Sequence, residues 1–330
     1  MKPKVFIAAS IPMEIERYIG EHCNYVKWEG ADPIPRKDLL KALAENSDIE
    51  GLMLTFHRID RELLELVPNL KVISNISVGY DNFNIELMKE KKVLGTHTPY
   101  VLDETVADTT FALMLAASRR IVELDRYVKE GKWVKGPDER FCGYDVHGTV
   151  LGIIGMGRIG EAVARRAKLG FNMDVIYNNR SPKPDVEARL GVKYRPLEEL
   201  LKESDFVVLL TPLTPETEQL MGEKEFSLMK KTAVFVNISR GKTVDEKALI
   251  KALQEGKIYA AGLDVFEREP IDPNNPLLKM ENVVTVPHIG SSTEKTHHDM
   301  FVLAAENLVM ACTGKKPPGP VKELAHLLEV

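Results

Sequence analysis

The chain has 330 residues, of which 44% are hydrophobic and 28% are charged. This balance is typical of a globular protein and excludes an intrinsically disordered one. Its 44 basic and 49 acidic residues give a net charge of −5, which argues against a general nucleic-acid-binding protein because such a protein needs a basic face.

Size and cysteine content narrow the class further. At about 150 residues per domain, the length predicts two domains. No apolar run approaches the ~18 residues of a membrane span, and the first residues lead directly into a strand-like segment, so we expect neither a signal peptide nor a membrane anchor. Cys23, Cys142 and Cys312 are scattered and form no C-x-x-C pair. We therefore expect a cytoplasmic protein in a reducing compartment.

Short apolar runs alternate with amphipathic stretches through the first hundred residues. The pattern predicts strands at 4–8, 51–55, 71–76 and 93–96, and helices at 12–22, 36–45, 60–66 and 85–91. Strands that alternate with helices pair in parallel and carry helices on both faces. This part therefore predicts a doubly wound α/β domain.

A different pattern follows the turn-like segment at 98–100. Residues 104–128 predict one long connecting helix, with a domain boundary just before it, and 136–138 predict a loop. A second alternating array then begins at Thr149. It predicts strands at 150–154, 174–177, 206–210, 233–238, 259–263 and 283–286, with helices at 158–168, 196–202, 222–230 and 245–255. One more helix is expected at about 294–312, followed by a proline-rich turn at 315–320.

The second array opens on a glycine-rich motif. The run at 155–160 reads G-x-G-x-x-G, between a predicted buried strand and a predicted helix. In that context Gly155 allows the tight turn, Gly157 lets the backbone approach a pyrophosphate, and Gly160 lets the helix pack on the strand. The alternative is a structural strand-to-helix turn. The agreement of motif, strand and helix favours dinucleotide binding.

The end of the next predicted strand bears on the choice of cofactor. An NAD enzyme usually carries Asp or Glu there to bind the ribose hydroxyls, but this chain has Asn178-Asn179-Arg180-Ser181. Arg180 can pair with a 2′-phosphate through two hydrogen bonds, and Ser181 can donate another. The alternative is that Arg180 only caps a surface loop. We predict NADPH as the preferred cofactor, with NADH possible.

Chemistry-bearing residues follow the later strands of this array. In a doubly wound sheet the ligand lies beyond the carboxyl ends of the strands. Arg240, Asp264, Glu269 and His288 all follow such ends, although each alone also fits a structural role. Together they suit hydride transfer to a 2-oxo acid, in which the protein orients the substrate and supplies a proton.

The chemistry of each side chain suggests its role in this reaction. Arg240 can bind the α-carboxylate and polarise the carbonyl, and His288 can donate the proton. A carboxylate beside that histidine raises its pKa. Glu269 is preferred for this role because it precedes a proline that fixes the turn, while Glu267 stays a competitor. Asp264 is better placed to hold the carboxamide of the cofactor.

With these motifs, the sequence resembles the D-2-hydroxyacid dehydrogenase family along essentially its whole length. The motifs that carry the resemblance are the glycine run at 155–160, N-I-S-R-G at 237–241, A-G-L-D-V-F-E-R-E-P at 261–270 and P-H-I-G at 287–290. Supporting segments lie at 76–83, 104–108 and 177–180. Within the family the sequence is most similar to glyoxylate/hydroxypyruvate reductases that also reduce 2-ketogluconate.

The resemblance implies a fold and a site. The fold is α/β with two doubly wound parallel-sheet domains: a flavodoxin-like substrate domain (1–100 and 288–330) and a Rossmann coenzyme domain (101–287), with the active site in the cleft. The catalytic residues are Arg240, Glu269 and His288, and Val78 and Gly79 bind the substrate carboxylate through main-chain N–H groups. A homodimer built through the coenzyme domains is also implied. The residues expected to contact the cofactor are Thr105, Gly155, Gly157, Arg158, Ile159, Gly160, Asn179, Arg180, Ser181, Thr211, Pro212, Thr217, Ile238, Ser239, Asp264 and Gly290.

Other functions fit the same sequence pattern. The same fold serves phosphite, formate and phosphoglycerate dehydrogenases, and some members of the family are dinucleotide-sensing corepressors. A loop matching 135–142 reaches the neighbouring subunit in relatives, where several carry an aromatic residue at the position of Arg140 or Phe141. No zinc-ligand spacing is present, so no metal is expected. His57, His97 and His147 lack companions at ligand spacing.

Overall fold

Two compact units make up the chain. The computed structural model describes residues 1–30, 33–136 and 138–328. One unit comprises Met1–Leu102 and Thr293–Val330, and the other Asp103–Ser292. The second boundary thus lies after the predicted residue 288, because main-chain groups of residues 288–290 bind Asp264. Pro137, in the predicted loop at 136–138, lies outside the described residues.

The secondary structure alternates strands and helices as the apolar pattern predicts. The strands are β1 (Lys4–Ile7), β2 (Asn24–Lys27), β3 (Gly51–Leu54), β4 (Val72–Asn75), β5 (Leu94–Thr96), β6 (Val150–Ile154), β7 (Asp174–Asn178), β8 (Lys193–Tyr194), β9 (Phe206–Leu209), β10 (Val234–Asn237), β11 (Ala260–Leu263) and β12 (Val283–Thr285). The helices are α1 (Met13–His22), α2 (Arg36–Glu45), α3 (Arg61–Leu66), α4 (Ile85–Glu90), α5 (Asp103–Ser118), α6 (Ile121–Lys129), α7 (Arg158–Phe171), α8 (Pro184–Leu190), α9 (Leu197–Glu203), α10 (Glu223–Leu228), α11 (Glu246–Gln254) and α12 (Glu294–Cys312). None of these described helices combines the length and apolar character needed to cross a bilayer.

Each unit is built on a parallel sheet. Among the described residues, the first unit has five strands in the order β2-β1-β3-β4-β5, and the second has seven in the order β12-β11-β10-β9-β6-β7-β8. Neighbouring strands in both sheets are parallel. Strand order reverses beside β1 in one sheet and β6 in the other, which confirms the prediction of two doubly wound parallel sheets.

The strands absent from the prediction lie at sheet edges. β2 pairs only with β1, and two of its four residues are exposed. β8 has two residues and pairs only with β7. Edge strands bury fewer side chains, so they lack the apolar run that marks β9 or β10, whose residues are all buried.

The connecting helix predicted at 104–128 is wrong as one element. It is divided into α5 and α6 at Arg119 and Arg120, and Arg120 has the left-handed φ of 56°. The main-chain oxygen of Ser118 accepts a hydrogen bond from Tyr144 N–H at 3.1 Å, and Ser118 Oγ donates to Tyr144 O at 2.7 Å. A distant segment therefore bonds the end of α5, a contact that helical periodicity cannot reveal.

Candidate active site

The glycine loop joins β6 to α7. Gly155 has φ +104°, and a Cβ there would lie 2.8 Å from the carbonyl carbon of Leu210. A Cβ at Gly160 would lie 2.6 Å from Gly155 O, so both positions require close backbone approach. By contrast, no described atom lies within 4 Å of a Cβ built at Gly157. The loop therefore leaves open space at its middle glycine.

That open space lies at the start of α7. Gly157 is the N-cap of this 14-residue helix and offers no capping side chain, and a helix N-terminus of this kind attracts anions. At the end of β9, the neighbour of β6, Thr211 Oγ1 is buried without a hydrogen-bond partner among the described residues. An open anion site beside an unpaired buried hydroxyl fits a nicotinamide dinucleotide.

The residues after β7 divide into two groups. The side chain of Asn179 bonds the glycine loop: its Oδ1 accepts from Met156 N–H at 2.7 Å, and its Nδ2 lies 3.4 Å from Met156 O. Arg180 and Ser181 are exposed. Asn179 thus shapes the loop, whereas Arg180 and Ser181 remain accessible to a ligand.

Other residues predicted to contact the cofactor have partners within the protein. Arg158, the first residue of α7, donates from Nε to Asp103 Oδ2 at 3.1 Å, and the partly buried Ile159 follows it in the same turn. In the loop after β9, Thr217 Oγ1 donates to Pro212 O at 2.6 Å. These contacts order the loop ends around the glycine run.

A buried asparagine supports Arg240. Asn237 ends β10, and its Oδ1 accepts from both the N–H and the hydroxyl of Ser239, at 3.0 and 2.9 Å. Its Nδ2 donates to Arg240 O at 3.0 Å, and Thr243 Oγ1 donates to the same oxygen at 2.6 Å. The half-buried Arg240 thus lies on a hydrogen-bonded turn. Sequence reasoning did not assign Asn237 this role, although an Asx residue before a turn is a usable signal.

Asp264 holds the loop that carries His288. Its Oδ1 accepts from Ile289 N–H at 2.6 Å, its Oδ2 from Gly290 N–H at 3.0 Å, and its main-chain oxygen from His288 N–H at 2.9 Å. Burial raises the pKa of Asp264, although both N–H bonds and the charge of His288 act against the increase. The sequence suggested a role on the carboxamide of the cofactor. Here both carboxylate oxygens bind the main chain of the histidine loop.

The loop after His288 also contacts α5. Thr109 Oγ1 lies 3.2 Å from Gly290 O and 3.3 Å from Thr105 O. A Cβ at Gly290 would lie 3.4 Å from the Ile238 side chain. Thr105, Ile238 and Gly290, all predicted to contact the cofactor, therefore lie near one another at the carboxyl end of the sheet.

Glu269 is the carboxylate that contacts His288. His288 Nδ1 lies 2.7 Å from Glu269 Oε2, and Phe266 N–H donates to Glu269 Oε1 at 3.0 Å. Burial acts to raise the pKa of Glu269, but these two hydrogen bonds and the charges of His288 and Arg240 lower it below its ordinary value. Glu267 is exposed, and its N–H donates to Glu246 Oε2. The structure therefore brings Glu269 to His288, with Arg240 near enough to act on it.

The contact with Glu269 fixes the tautomer of His288. An ionised carboxylate can only accept, so Nδ1 carries the proton in this pair. His288 has φ 54°, and Asp264 holds the main chain on both sides of this unusual backbone. An imidazole held by a carboxylate therefore lies at the end of the sheet. The described residues include no group of three or more His, Cys, Asp and Glu side chains suited to hold a metal ion.

Val78 and Gly79 belong to the first unit, in the loop after β4. Val78 O accepts from His97 Nδ1 at 2.8 Å, and Gly79 O accepts from Asn75 Nδ2 at 2.8 Å. Their own N–H groups have no acceptor among the described residues. Two main-chain donors thus lie at the carboxyl end of β4, where the family resemblance implies binding of the substrate carboxylate.

Comparison with known proteins agrees with this architecture. Residues 111–290 match the family described as D-isomer specific 2-hydroxyacid dehydrogenase, NAD binding domain. The chain is 47% identical over 320 residues to glyoxylate/hydroxypyruvate reductase B of Enterobacter sp. (strain 638), covering 95% of this chain and 96% of the relative. It is 48% identical over 324 residues to glyoxylate reductase of Korarchaeum cryptofilum, covering 98% and 97%.

Solved structures give the same result. The NADPH-dependent glyoxylate/hydroxypyruvate reductase of Sinorhizobium meliloti, in complex with NADP and malonate, superimposes with a TM-score of 0.86 at 30% identity, covering 98% of each chain. A protein from Thermus thermophilus superimposes with a TM-score of 0.88 at 41% identity, covering 96% of this chain and 99% of that one. The chain therefore belongs to the family of D-isomer-specific 2-hydroxyacid dehydrogenases and is an oxidoreductase that uses a nicotinamide dinucleotide.

Proposed function

We propose that this protein is an NADPH-dependent reductase of small 2-oxo acids that forms D-2-hydroxy acids. Glyoxylate, hydroxypyruvate and 2-ketogluconate are the proposed substrates. The observation that carries the proposal is the 2.7 Å pair of His288 and Glu269, held beside Arg240 on the sheet that also carries the glycine loop. The names of the Enterobacter and Korarchaeum relatives support glyoxylate and hydroxypyruvate.

Each side chain has its own role in the proposed reduction of the 2-oxo acid. When bound, the reduced cofactor supplies a hydride to the carbonyl carbon. Arg240 binds the α-carboxylate and polarises the carbonyl, while His288 Nε2 gives a proton to the carbonyl oxygen as it gains charge. Glu269 orients the imidazole and favours its protonated form. In the first unit, Val78 and Gly79 offer main-chain N–H groups that suit a substrate carboxylate.

The first experiment is an assay of cofactor oxidation with each of the three 2-oxo acids. We expect turnover of glyoxylate and hydroxypyruvate by the wild-type protein and a strongly raised KM for NADPH in Gly157→Ala. A methyl group at this open position does not collide with the protein but occupies space assigned to the pyrophosphate. Gly170→Ala, at another glycine with open space in α7, is the matched control.

The outcomes of this assay separate the alternatives. Turnover of phosphite, formate or phosphoglycerate in place of the 2-oxo acids would move the protein to another dehydrogenase on the same frame. Cofactor binding without turnover of any substrate would favour a dinucleotide-sensing role. Wild-type affinity for NADPH in Gly157→Ala would remove the pyrophosphate from the glycine loop.

The preference for NADPH rests on Arg180 and Ser181, which are exposed after β7 where an NAD enzyme carries a carboxylate. We expect Arg180→Ala to raise the KM for NADPH about tenfold or more, the effect of losing a charge-assisted hydrogen bond. The KM for NADH should change little, because NADH lacks the 2′-phosphate. Arg189→Ala, at an arginine of α8 that pairs with Glu161, is the control. Equal effects on both cofactors would contradict this role.

A homodimer and a cytoplasmic location complete the proposal. α6 has no buried residue, and apolar side chains are exposed along it and the loop that follows. These residues are Ile121, Val122, Val128, Trp133 and Val134. Such a face supports a dimer through the coenzyme unit, which light scattering can test. The three cysteines are free, as expected in a reducing compartment, and cell fractionation tests the location.

A further inference from the structure

The loop at 76–80 is held by residues that lie immediately after β5. Thr98 N–H donates to Ser77 O at 2.9 Å, and His97 Nδ1 lies 2.8 Å from Val78 O. A carbonyl oxygen only accepts, so Nδ1 of His97 carries the proton in this contact. Two consecutive carbonyl groups of the loop therefore point toward the segment after β5.

The direction of these carbonyls decides where the N–H groups point. In a trans peptide the C=O of one residue and the N–H of the next point in opposite directions, and both peptide bonds here are trans. Holding Ser77 O thus turns Val78 N–H away from Thr98. Holding Val78 O turns Gly79 N–H away from His97. The segment after β5 orients the two donors that the proposed function assigns to the substrate carboxylate.

His97 is itself firmly placed. Its N–H donates to Gly319 O at 2.9 Å, and its carbonyl oxygen accepts from Asn307 Nδ2 at 2.9 Å. Asn307 is fully buried in α12, and its Oδ1 also accepts from Gly319 N–H at 2.8 Å. The His97 ring packs edge-on against Tyr80, with ring centroids 5.2 Å apart. The main chain of His97 is therefore fixed on both sides, and its ring packs on Tyr80 while it bonds Val78.

We propose that His97 is a positioning residue for substrate binding, which acts by holding the Val78–Gly79 peptide so that Gly79 N–H faces the substrate carboxylate. This inference rests on the proposed function and extends it to a residue that does not touch the substrate. The hydrogen bond from His97 is the same before and during the reaction. Its loss therefore weakens binding of the ground state and the transition state alike, so KM rises while kcat is kept.

The test compares three substitutions that differ in the donor they offer. His97→Asn keeps an N–H donor at the δ position, His97→Gln moves it one bond further along the side chain, and His97→Leu removes it. We expect Leu and Gln to raise the KM for glyoxylate about tenfold with kcat within about threefold of wild type. Asn should restore KM to within about threefold of wild type.

Two further measurements separate this role from a loss of structure. The affinity for NADPH should be the same in all variants, since the glycine loop belongs to the other unit. The affinity for oxamate, an unreactive 2-oxo acid analogue with a carboxylate, is measured calorimetrically in the presence of oxidised cofactor. It should fall in parallel with the rise in KM. If Leu does not fold, the Asn and Gln pair carries the test.

Each result of these measurements supports or overturns the role of His97. Wild-type KM and oxamate affinity in the Gln and Leu variants would overturn the role of His97 and leave the proposed function intact. Equal loss in Asn and Gln would also overturn it, because the position of the donor would then not matter. A wild-type protein that binds NADPH but neither reduces glyoxylate nor binds oxamate would overturn the proposed function and this inference together.

Discussion

Replacing His288 with alanine should lower kcat for glyoxylate reduction by about 100- to 10,000-fold, the range for losing a positioned general acid. Cofactor binding should change less than kcat. Asp264 holds the loop through main-chain N–H groups of Ile289 and Gly290, and the substitution keeps these groups. The KM for NADPH should therefore stay within a few-fold of wild type. Steady-state kinetics measure both constants. An alanine variant as fast as wild type would show that another group donates the proton.

Glu269→Gln is the matched variant for the same pair. Glutamine keeps an oxygen that can accept from one of the two donors, His288 Nδ1–H and Phe266 N–H, but it lacks the negative charge that favours the imidazolium. We expect a smaller loss of kcat than in His288→Ala, and steady-state kinetics with glyoxylate compare the two variants.

The lowered pKa of Glu269 determines how the pair behaves in acid. The pKa of Glu269 is lowered in the folded protein, so the stabilisation from its charged form is fully present above the ordinary carboxyl pKa. It is lost only as the pH falls through the lowered value. The pair with His288 should consequently persist into mildly acidic solution. A wild-type kcat in Glu269→Gln would show that the negative charge of Glu269 is not needed for turnover.

The sequence was most informative at positions where the backbone geometry admits only one residue type. Gly155 lies where φ is positive and Gly160 where a Cβ would collide with backbone, so the glycine spacing itself reports the geometry. The central strands are equally readable, because burial on both faces requires an unbroken apolar run, as in β9. These two signals sufficed to predict the central strands of both sheets and the loop between β6 and α7.

Residues that act on the main chain were much harder to predict. Asn237, Asp264 and His97 each bind backbone groups of a segment far from them or beyond a turn. Their partners depend on the path of the folded chain, and the sequence gives no spacing for a peptide carbonyl. The division of α5 from α6 has the same origin, since Tyr144 bonds the end of α5 from 26 residues away.

The site shows how these two kinds of residue cooperate. The location of His288 and Arg240 at one edge of the sheet could be predicted from their positions after strands, because parallel strands end at a common edge. The groups that orient them could not: Asp264 holds the loop of His288, and Asn237 holds the turn of Arg240. Substitutions at these supporting residues should act on rate through geometry, without removing a reactive group.

Arg240→Ala should have the second large effect, because it removes both the proposed contact with the substrate carboxylate and the proposed polarising charge. We expect kcat/KM for glyoxylate to fall about 1,000-fold or more, shared between a raised KM and a lowered kcat. Arg240→Lys keeps the charge but loses the planar fork that matches a carboxylate, so it should recover only part of the activity. Steady-state kinetics with varied glyoxylate separate the two effects.

The same substitution should leave a signature at Glu269. The charge of Arg240 is one of the causes that lower the pKa of Glu269, so in Arg240→Ala that pKa should rise toward its ordinary value. The stabilisation of the ionised pair is then lost at a higher pH, and the acid limb of the pH–rate profile should move upward. Arg240→Lys retains a positive charge and should keep the limb near its wild-type position. A lysine variant that matched the alanine variant in both kcat/KM and the position of the acid limb would contradict an electrostatic role for Arg240. The guanidinium group would then act through its shape alone.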